Sequence, residues 1–167
     1  MPIQKGNYAF QLVQSEDWNL LQGWLNEPEV ARWYKGPGTV EDLERKLGDE
    51  RIRMQLVLLD DTPIAFVQDY DIHGWDDHHL SHLPSGSRGV DTFIGVGTMM
   101  GRGHGTRFLS LLARELFASG VPALGIDPHP DNSQALRAYR KVGFVEKGEC
   151  DTHWGRVVLM CLHASSG

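Results

Sequence analysis

The chain has 167 residues, with 41% hydrophobic and 23% charged residues and a formal net charge of −6. That size supports one domain, 1–167, with a real core, and the ordinary composition excludes a disordered or fibrous chain. Residues 60–91 hold seven acids (Asp60, Asp61, Asp69, Asp71, Asp76, Asp77, Asp91) against the single base Arg88, so that stretch alone carries the whole net charge. Such one-sided acidity disfavours nucleic acid and favours a cationic ligand, with a solvated acidic loop as the plainer alternative.

No apolar run approaches the roughly 18 residues that span a membrane. Met1–Gly6 lack the apolar stretch of a secretory signal. Cys150 and Cys161 form neither a disulfide framework nor a metal pattern. The cytoplasm is the expected compartment. Either a monomer or a homodimer is compatible with these residues.

In chain order, Tyr8–Val13 reads as a first strand. Ser15 is placed to cap a helix whose apolar stripe is Trp18, Leu21 and Leu25. Pro28 starts a short helix with Val30, Trp33 and Tyr34. Lys35–Gly38 breaks it, and Thr39 caps the next, through Leu43 and Leu47. Met54–Leu59, a turn at Asp60–Pro63, and Ile64–Ile72 form an antiparallel hairpin. The fifteen residues His73–Ser87 make a connection long enough to be functional. Gly89–Ile94 is a strand. A helix then carries Phe108, Leu109, Leu112, Leu116 and Phe117 on one face, and Gly120 ends it. Val121–Ile126 is a strand, 132–142 a helix stopped by Gly143, and strands begin at Phe144 and Val157. This order predicts an α/β fold with a mixed sheet of about seven strands flanked by helices.

Met100-Gly101-Arg102-Gly103-His104-Gly105-Thr106 opens the long helix. Three glycines let the backbone approach a ligand, and the helix start offers unpaired N–H groups and a partial positive charge. Pyrophosphate is the natural guest. The spacing is neither a dinucleotide fingerprint nor a Walker loop. Further on come Asp127-Pro128-His129-Pro130-Asp131-Asn132 and Tyr139-Arg140-Lys141-Val142-Gly143-Phe144. Over residues 90–146 these elements together resemble the GNAT N-acetyltransferase superfamily. Its acetyl-CoA loop maps onto Met100, Gly103 and Gly105, with Met100 in place of the usual Gln or Arg.

The resemblance implies acetyl-CoA as co-substrate. Backbone near Ile94 and Val96 would hold the pantetheine arm, Arg102, Gly103, His104, Gly105 and Thr106 the pyrophosphate, and Asn132 the opposite side. Acetylating an amine calls for a base and a proton donor. Asp91, on the strand entering the loop, and Tyr139, on the later helix, fit by position. Arg88–Ile94, Pro63–Gln68 and Asp127-Pro128 are most similar to the aminoglycoside 6′-N-acetyltransferases. That likeness implies Asp91 as general base and Tyr139 as general acid. It places Asp127 and the loop of Trp75, Asp76 and Asp77 at the cationic substrate, for which Trp33 and Tyr70 are candidate aromatic walls and Gln68 a further candidate contact.

Two other readings stay open. One is acetylation of a different small amine, such as a siderophore hydroxylysine or a polyamine. The other is a non-catalytic module that binds acyl-CoA or a cation. No metal is expected: His73, His78, His79 and His82 lack the spacing of a zinc site. Those histidines gain charge below about pH 6.5, which would weaken cation binding.

Overall fold

The computed structural model describes residues 6–34 and 40–165. The expected break at Lys35–Gly38 and the Thr39 cap lie outside the described residues. In order come β1 (Tyr8–Leu12), a 3-10 turn (Ser15–Asp17), α1 (Trp18–Leu25), α2 (Pro28–Trp33), α3 (Val40–Lys46), β2 (Ile52–Leu59) and β3 (Thr62–Asp71). A 3-10 turn (Ile72–Gly74), β4 (Arg88–Ile94) and another 3-10 turn (Gly97–Met99) follow. The chain closes with α4 (His104–Ala118), β5 (Ala123–Ile126), α5 (Ser133–Val142), β6 (Val145–Thr152) and β7 (Gly155–His163).

Two local expectations need correction. Gln14, not Ser15, begins the first helical segment. Its N–H donates to Asp17 Oδ2 at 2.8 Å while Asp17 N–H donates to the Gln14 carbonyl at 2.9 Å. The acid lies three residues after Gln14, so the box closes one residue earlier and Ser15 becomes the first residue of the turn. The β2–β3 turn is also tighter than four residues. Asp60 and Asp61 adopt φ of 48° and 69°, and Leu59 already faces Thr62. Aspartate tolerates this conformation, which two-residue hairpins require. Pro63 sits within β3 beside a register shift at Val57/Leu58, where a missing N–H is harmless.

The sheet has seven strands in the order β1-β2-β3-β4-β5-β7-β6. Only β4 and β5 are parallel. One face packs on α4 and α5 through Phe108, Leu109, Leu112, Leu116 and Leu136. The other packs on the N-terminal helices, where Leu21, Trp24, Val30 and Leu43 meet Leu56, Phe66 and Phe93. A third cluster seats Leu80 and Leu83 of the long loop on Ala123 and Cys161.

The parallel pair decides where the site lies. β4 and β5 share just two registers, Arg88↔Leu124 and Gly89↔Gly125. Beyond them β4 stays with β3 as far as Ala65↔Ile94. The chain after β5 stays with β7, whose Val158 N–H donates to the Pro128 carbonyl at 2.8 Å. The two halves of the sheet therefore part, and the β5-facing edge of Val90–Ile94 has no strand partner among the described residues.

Candidate active site

A cleft of about 390 Å³ fills this opening. Cross-strand register builds its floor. Phe66 faces Phe93, Gln68 faces Asp91 and Tyr70 faces Gly89. The two phenyl rings stack at 5.3 Å. Gln68 Nε2 donates to Asp91 Oδ2 at 2.9 Å. The Tyr70 ring lies over Gly89, where a Cβ would overlap it, so glycine is required there.

The α4 side of the cleft is an anion cradle. Gly103 holds φ +85° at the N-cap and offers no side chain to the helix start. Arg107 N–H reaches the Gly103 carbonyl at 3.2 Å, the first bond of the helix. The N–H groups of His104, Gly105 and Thr106 therefore have no intrahelical acceptor. No acid occupies the first turn of α4. Gln134, Arg137 and Lys141 of α5 line the same cleft. This donor set fits the phosphates of CoA.

The facing walls are acidic and aromatic. Glu29, Asp91 and Asp127 all line the cleft, from α2, β4 and the end of β5. Burial, and next the Asp127 charge, push the Asp91 pKa up to about 7; the Gln68 hydrogen bond, Lys46 and His79 oppose this. Tyr139 lines the cleft as well. Its phenol is raised above the ordinary value by burial, then by Asp91 and Asp127, so it stays protonated. A carboxylate that titrates near neutrality and a neutral phenol in one pocket have the chemistry to accept one proton and donate another.

Among the other expected residues, Ile94, Gly103, Gly105, Thr106, Asn132 and Trp33 line the cleft. Asn132 Oδ1 also caps α5, accepting from Ala135 N–H at 3.2 Å. Trp33 stands 5.6 Å from His129. Several residues depart from expectation. Val96 donates its N–H to the Ile64 carbonyl and accepts from Met99 N–H, so its backbone is spent inside the protein. The His104 imidazole turns to the Tyr8 hydroxyl at 2.6 Å. Arg102 is exposed outside the cleft lining. Gln68 and Tyr70 lie beneath and beside Asp91 rather than in the lining.

The acidic stretch disperses. Asp60 and Asp61 form the hairpin turn. Buried Asp69 accepts from Arg53 Nε at 3.0 Å and Arg88 Nε at 2.5 Å. Asp71 caps a turn by accepting from His73 N–H. Asp76 and Asp77 are exposed and outside the cleft lining. Trp75 lies under the Arg51 guanidinium, 4.1 Å away. Asp91 alone of the seven lines the cleft. No group of three or more His, Cys, Asp or Glu among the described residues could hold a metal ion. No helix among them is long and apolar enough to cross a membrane.

Sequence reasoning missed Glu29, Arg137 and Lys141 as cleft residues. It treated Tyr34 only as part of a short helix. The Tyr34 ring packs 4.9 Å from Phe93. Tyr34 lines the cleft, and its hydroxyl is buried with no hydrogen-bond partner among the described residues. Tyrosine in place of an aliphatic residue at the end of an otherwise apolar helix face was the available signal.

A family profile described as an acetyltransferase (GNAT) domain matches residues 13–152. The chain belongs to this family. It is thus an acetyltransferase with acetyl-CoA as its co-substrate. Among its relatives, the aminoglycoside N(6′)-acetyltransferase type 1 of Klebsiella pneumoniae is 28% identical over 162 residues, covering 91% of this chain and 81% of that protein. A crystal structure of aminoglycoside acetyltransferase AAC(6′)-Ib with coenzyme A and kanamycin superposes with a TM-score of 0.84. It shares 28% identity and covers 94% of this chain and 95% of that one. An uncharacterized Bacillus halodurans protein superposes with a TM-score of 0.87 at 18% identity, covering 95% of this chain and 84% of that one; it shows the fold alone.

Proposed function

We propose that this acetyltransferase moves the acetyl group of acetyl-CoA to the 6′-amine of aminoglycosides, directly, within a ternary complex. The observation that carries the reading is the pairing of Asp91 and Tyr139 in one cleft with Asp127, beside an uncapped helix start. Relatives named as aminoglycoside N(6′)-acetyltransferases support the substrate class. Acetyl-CoA supplies the activated thioester. The N–H groups of His104, Gly105 and Thr106, with Arg137 and Lys141, hold its phosphates. The unpaired edge of β4 at Ile94 receives the pantetheine arm.

Asp127 and Glu29 attract the protonated acceptor, and Trp33 and Tyr34 wall it. Each charge-assisted contact shielded from water contributes about 1.5–3 kcal/mol. Asp91 takes the proton that the amine must lose before it attacks. Its elevated pKa makes it a stronger base than a solvated carboxylate while leaving much of it ionised at neutral pH. Tyr139 gives a proton towards the departing sulfur. Release of CoA thiol with kanamycin or tobramycin tests the reading. No turnover with any 6′-amino aminoglycoside refutes it.

One observation favours a second acceptor class. With the acidic stretch dispersed, the carboxylates lining the cleft are Glu29, Asp91 and Asp127, a set that also suits an acceptor smaller and less highly charged than an aminoglycoside, such as hydroxylysine. Higher kcat/KM on hydroxylysine than on kanamycin would select that reading.

A further inference from the structure

The loop His73–Ser87, expected to present acids to the substrate, is tied down by its histidines. His73 Nε2 lies 2.8 Å from the Leu83 carbonyl, and His78 Nε2 lies 3.2 Å from the Tyr70 hydroxyl. His82 Nε2 lies 3.7 Å from Cys161 Sγ. His79 differs from these three because its partner belongs to the cleft. Its Nε2 donates to Asp127 Oδ2 at 2.6 Å, with both side chains about four-fifths buried (17% and 19% exposed). No second hydrogen bond to the Asp127 carboxylate occurs among the described residues.

We propose that His79 is a positioning residue for the acceptor amine: it grips one oxygen of Asp127 and leaves the other to the incoming ammonium. The inference rests on the proposed reading of the cleft as an amine site. A carboxylate free to rotate would present either oxygen and pay an ordering cost on each binding event. Held at Oδ2 by an N–H donor, it offers a fixed acceptor, just as a ligating group is oriented by its outer partner. Leu80, fully buried next to His79 in sequence, pins the loop against Ala123 and Cys161, so the imidazole has a rigid base.

The neighbouring imidazole is arranged to let His79 do this. His78 and His79 stack at 4.2 Å. Burial, and next the charge of His79, push the His78 pKa down to about 4. His78 is therefore neutral at physiological pH. The groups that face Asp91 and Asp127 come from every packed element: Tyr34 from α2, Lys46 from α3, Gln68 and Tyr70 from β3, His78 and His79 from the loop, and Tyr139 from α5. Lys46 and His79 are the two basic side chains that act on Asp91 in this set.

The test compares His79→Ala, His79→Gln, Asp127→Asn and the double variant His79→Ala/Asp127→Asn, using kanamycin and acetyl-CoA. Gln keeps a donor at the position of Nε2 and cannot titrate. His79→Ala should raise the amine KM about tenfold and leave the acetyl-CoA KM unchanged. His79→Gln should restore the amine KM to near the parent value, and His79→Ala should add nothing once Asp127 is Asn. An unchanged amine KM in His79→Ala, or an equal rise in the Asp127→Asn background, overturns the proposal. A second readout needs no acceptor. In nitrogen-labelled protein the His79 Nε2–H, hydrogen-bonded to Asp127 at 2.6 Å, should give a downfield proton NMR signal that moves upfield in Asp127→Asn; an unmoved signal overturns the proposal. Absence of turnover in the parent enzyme would refute the aminoglycoside reading alone, and this signal would then decide on His79.

Discussion

Replacing Asp91 with Asn separates what the carboxylate does from what it costs. Burial and the Asp127 charge raise its pKa from 3.8 to about 7. At about 1.36 kcal/mol per unit, keeping Asp91 ionised in the fold costs at most about 4 kcal/mol. The sign follows from proton linkage. Between the two values the folded chain holds a proton that the unfolded chain has released. This group's contribution to stability therefore falls as pH rises from about 4 to about 7, and the full penalty applies above that. Asn has no charge to desolvate. Asp91→Asn should be more stable than the parent at pH 8, by part of that figure, with the advantage shrinking towards pH 4.

Activity should move the other way, with kcat lower by at least about 10²-fold if proton removal matters. In the parent, the ionised fraction of a group with a pKa of about 7 rises about tenfold between pH 6 and pH 8, and kcat/KM should rise with it. An ordinary carboxylate would give a flat profile there. Thiol release over that pH range and urea unfolding at pH 5 and pH 8 measure both effects. A flat profile, or an Asp91→Asn protein less stable than the parent at pH 8, refutes the reasoning.

Tyr139→Phe removes the proton donor and keeps the ring packed near Phe144; steady-state kinetics should show kcat falling more than the acetyl-CoA KM rises, and a pure KM effect would make Tyr139 a binding residue. A Cβ on Gly105 meets no protein atom within 4 Å, so Gly105→Ala should stabilise α4 by about 0.5–1 kcal/mol yet weaken CoA binding in calorimetry. Unchanged CoA affinity would move the phosphate cradle elsewhere. Gly103→Ala, at φ +85°, should instead lose about 1 kcal/mol of stability in thermal unfolding. Asp69→Ala strips Arg53 and Arg88 of their shared partner, and urea unfolding should show a loss of about 3 kcal/mol.

Signals that act within a few residues were readable from the chain. Pro28 starts α2 and Gly120 and Gly143 follow the ends of α4 and α5, because caps and φ preferences operate inside one helical turn. The glycine turn before α4 was legible for the same reason. Asp91 and Tyr139 stood out through their place in motifs around that turn. Alternation along β3 marked two faces without saying which one carried the site. Cross-strand register made that choice, putting Gln68 against Asp91 and sending Asp69 to the arginines on the other side. A one-residue slip would exchange those fates.

Composition presented the acids of residues 60–91 as one group, whereas packing scattered them and left only Asp91 in the cleft. The His79–Asp127 contact joins residues 48 positions apart, and no local rule reaches that far. Glu29 and Tyr34 enter the cleft because α2 rests on Phe66 and Phe93. Sequence alone determined the elements and the glycine turn before α4, since backbone geometry and helix ends are short-range properties. Tertiary structure decided which carboxylates meet and how basic Asp91 becomes, since burial and the approach of charges across strands depend on long-range packing.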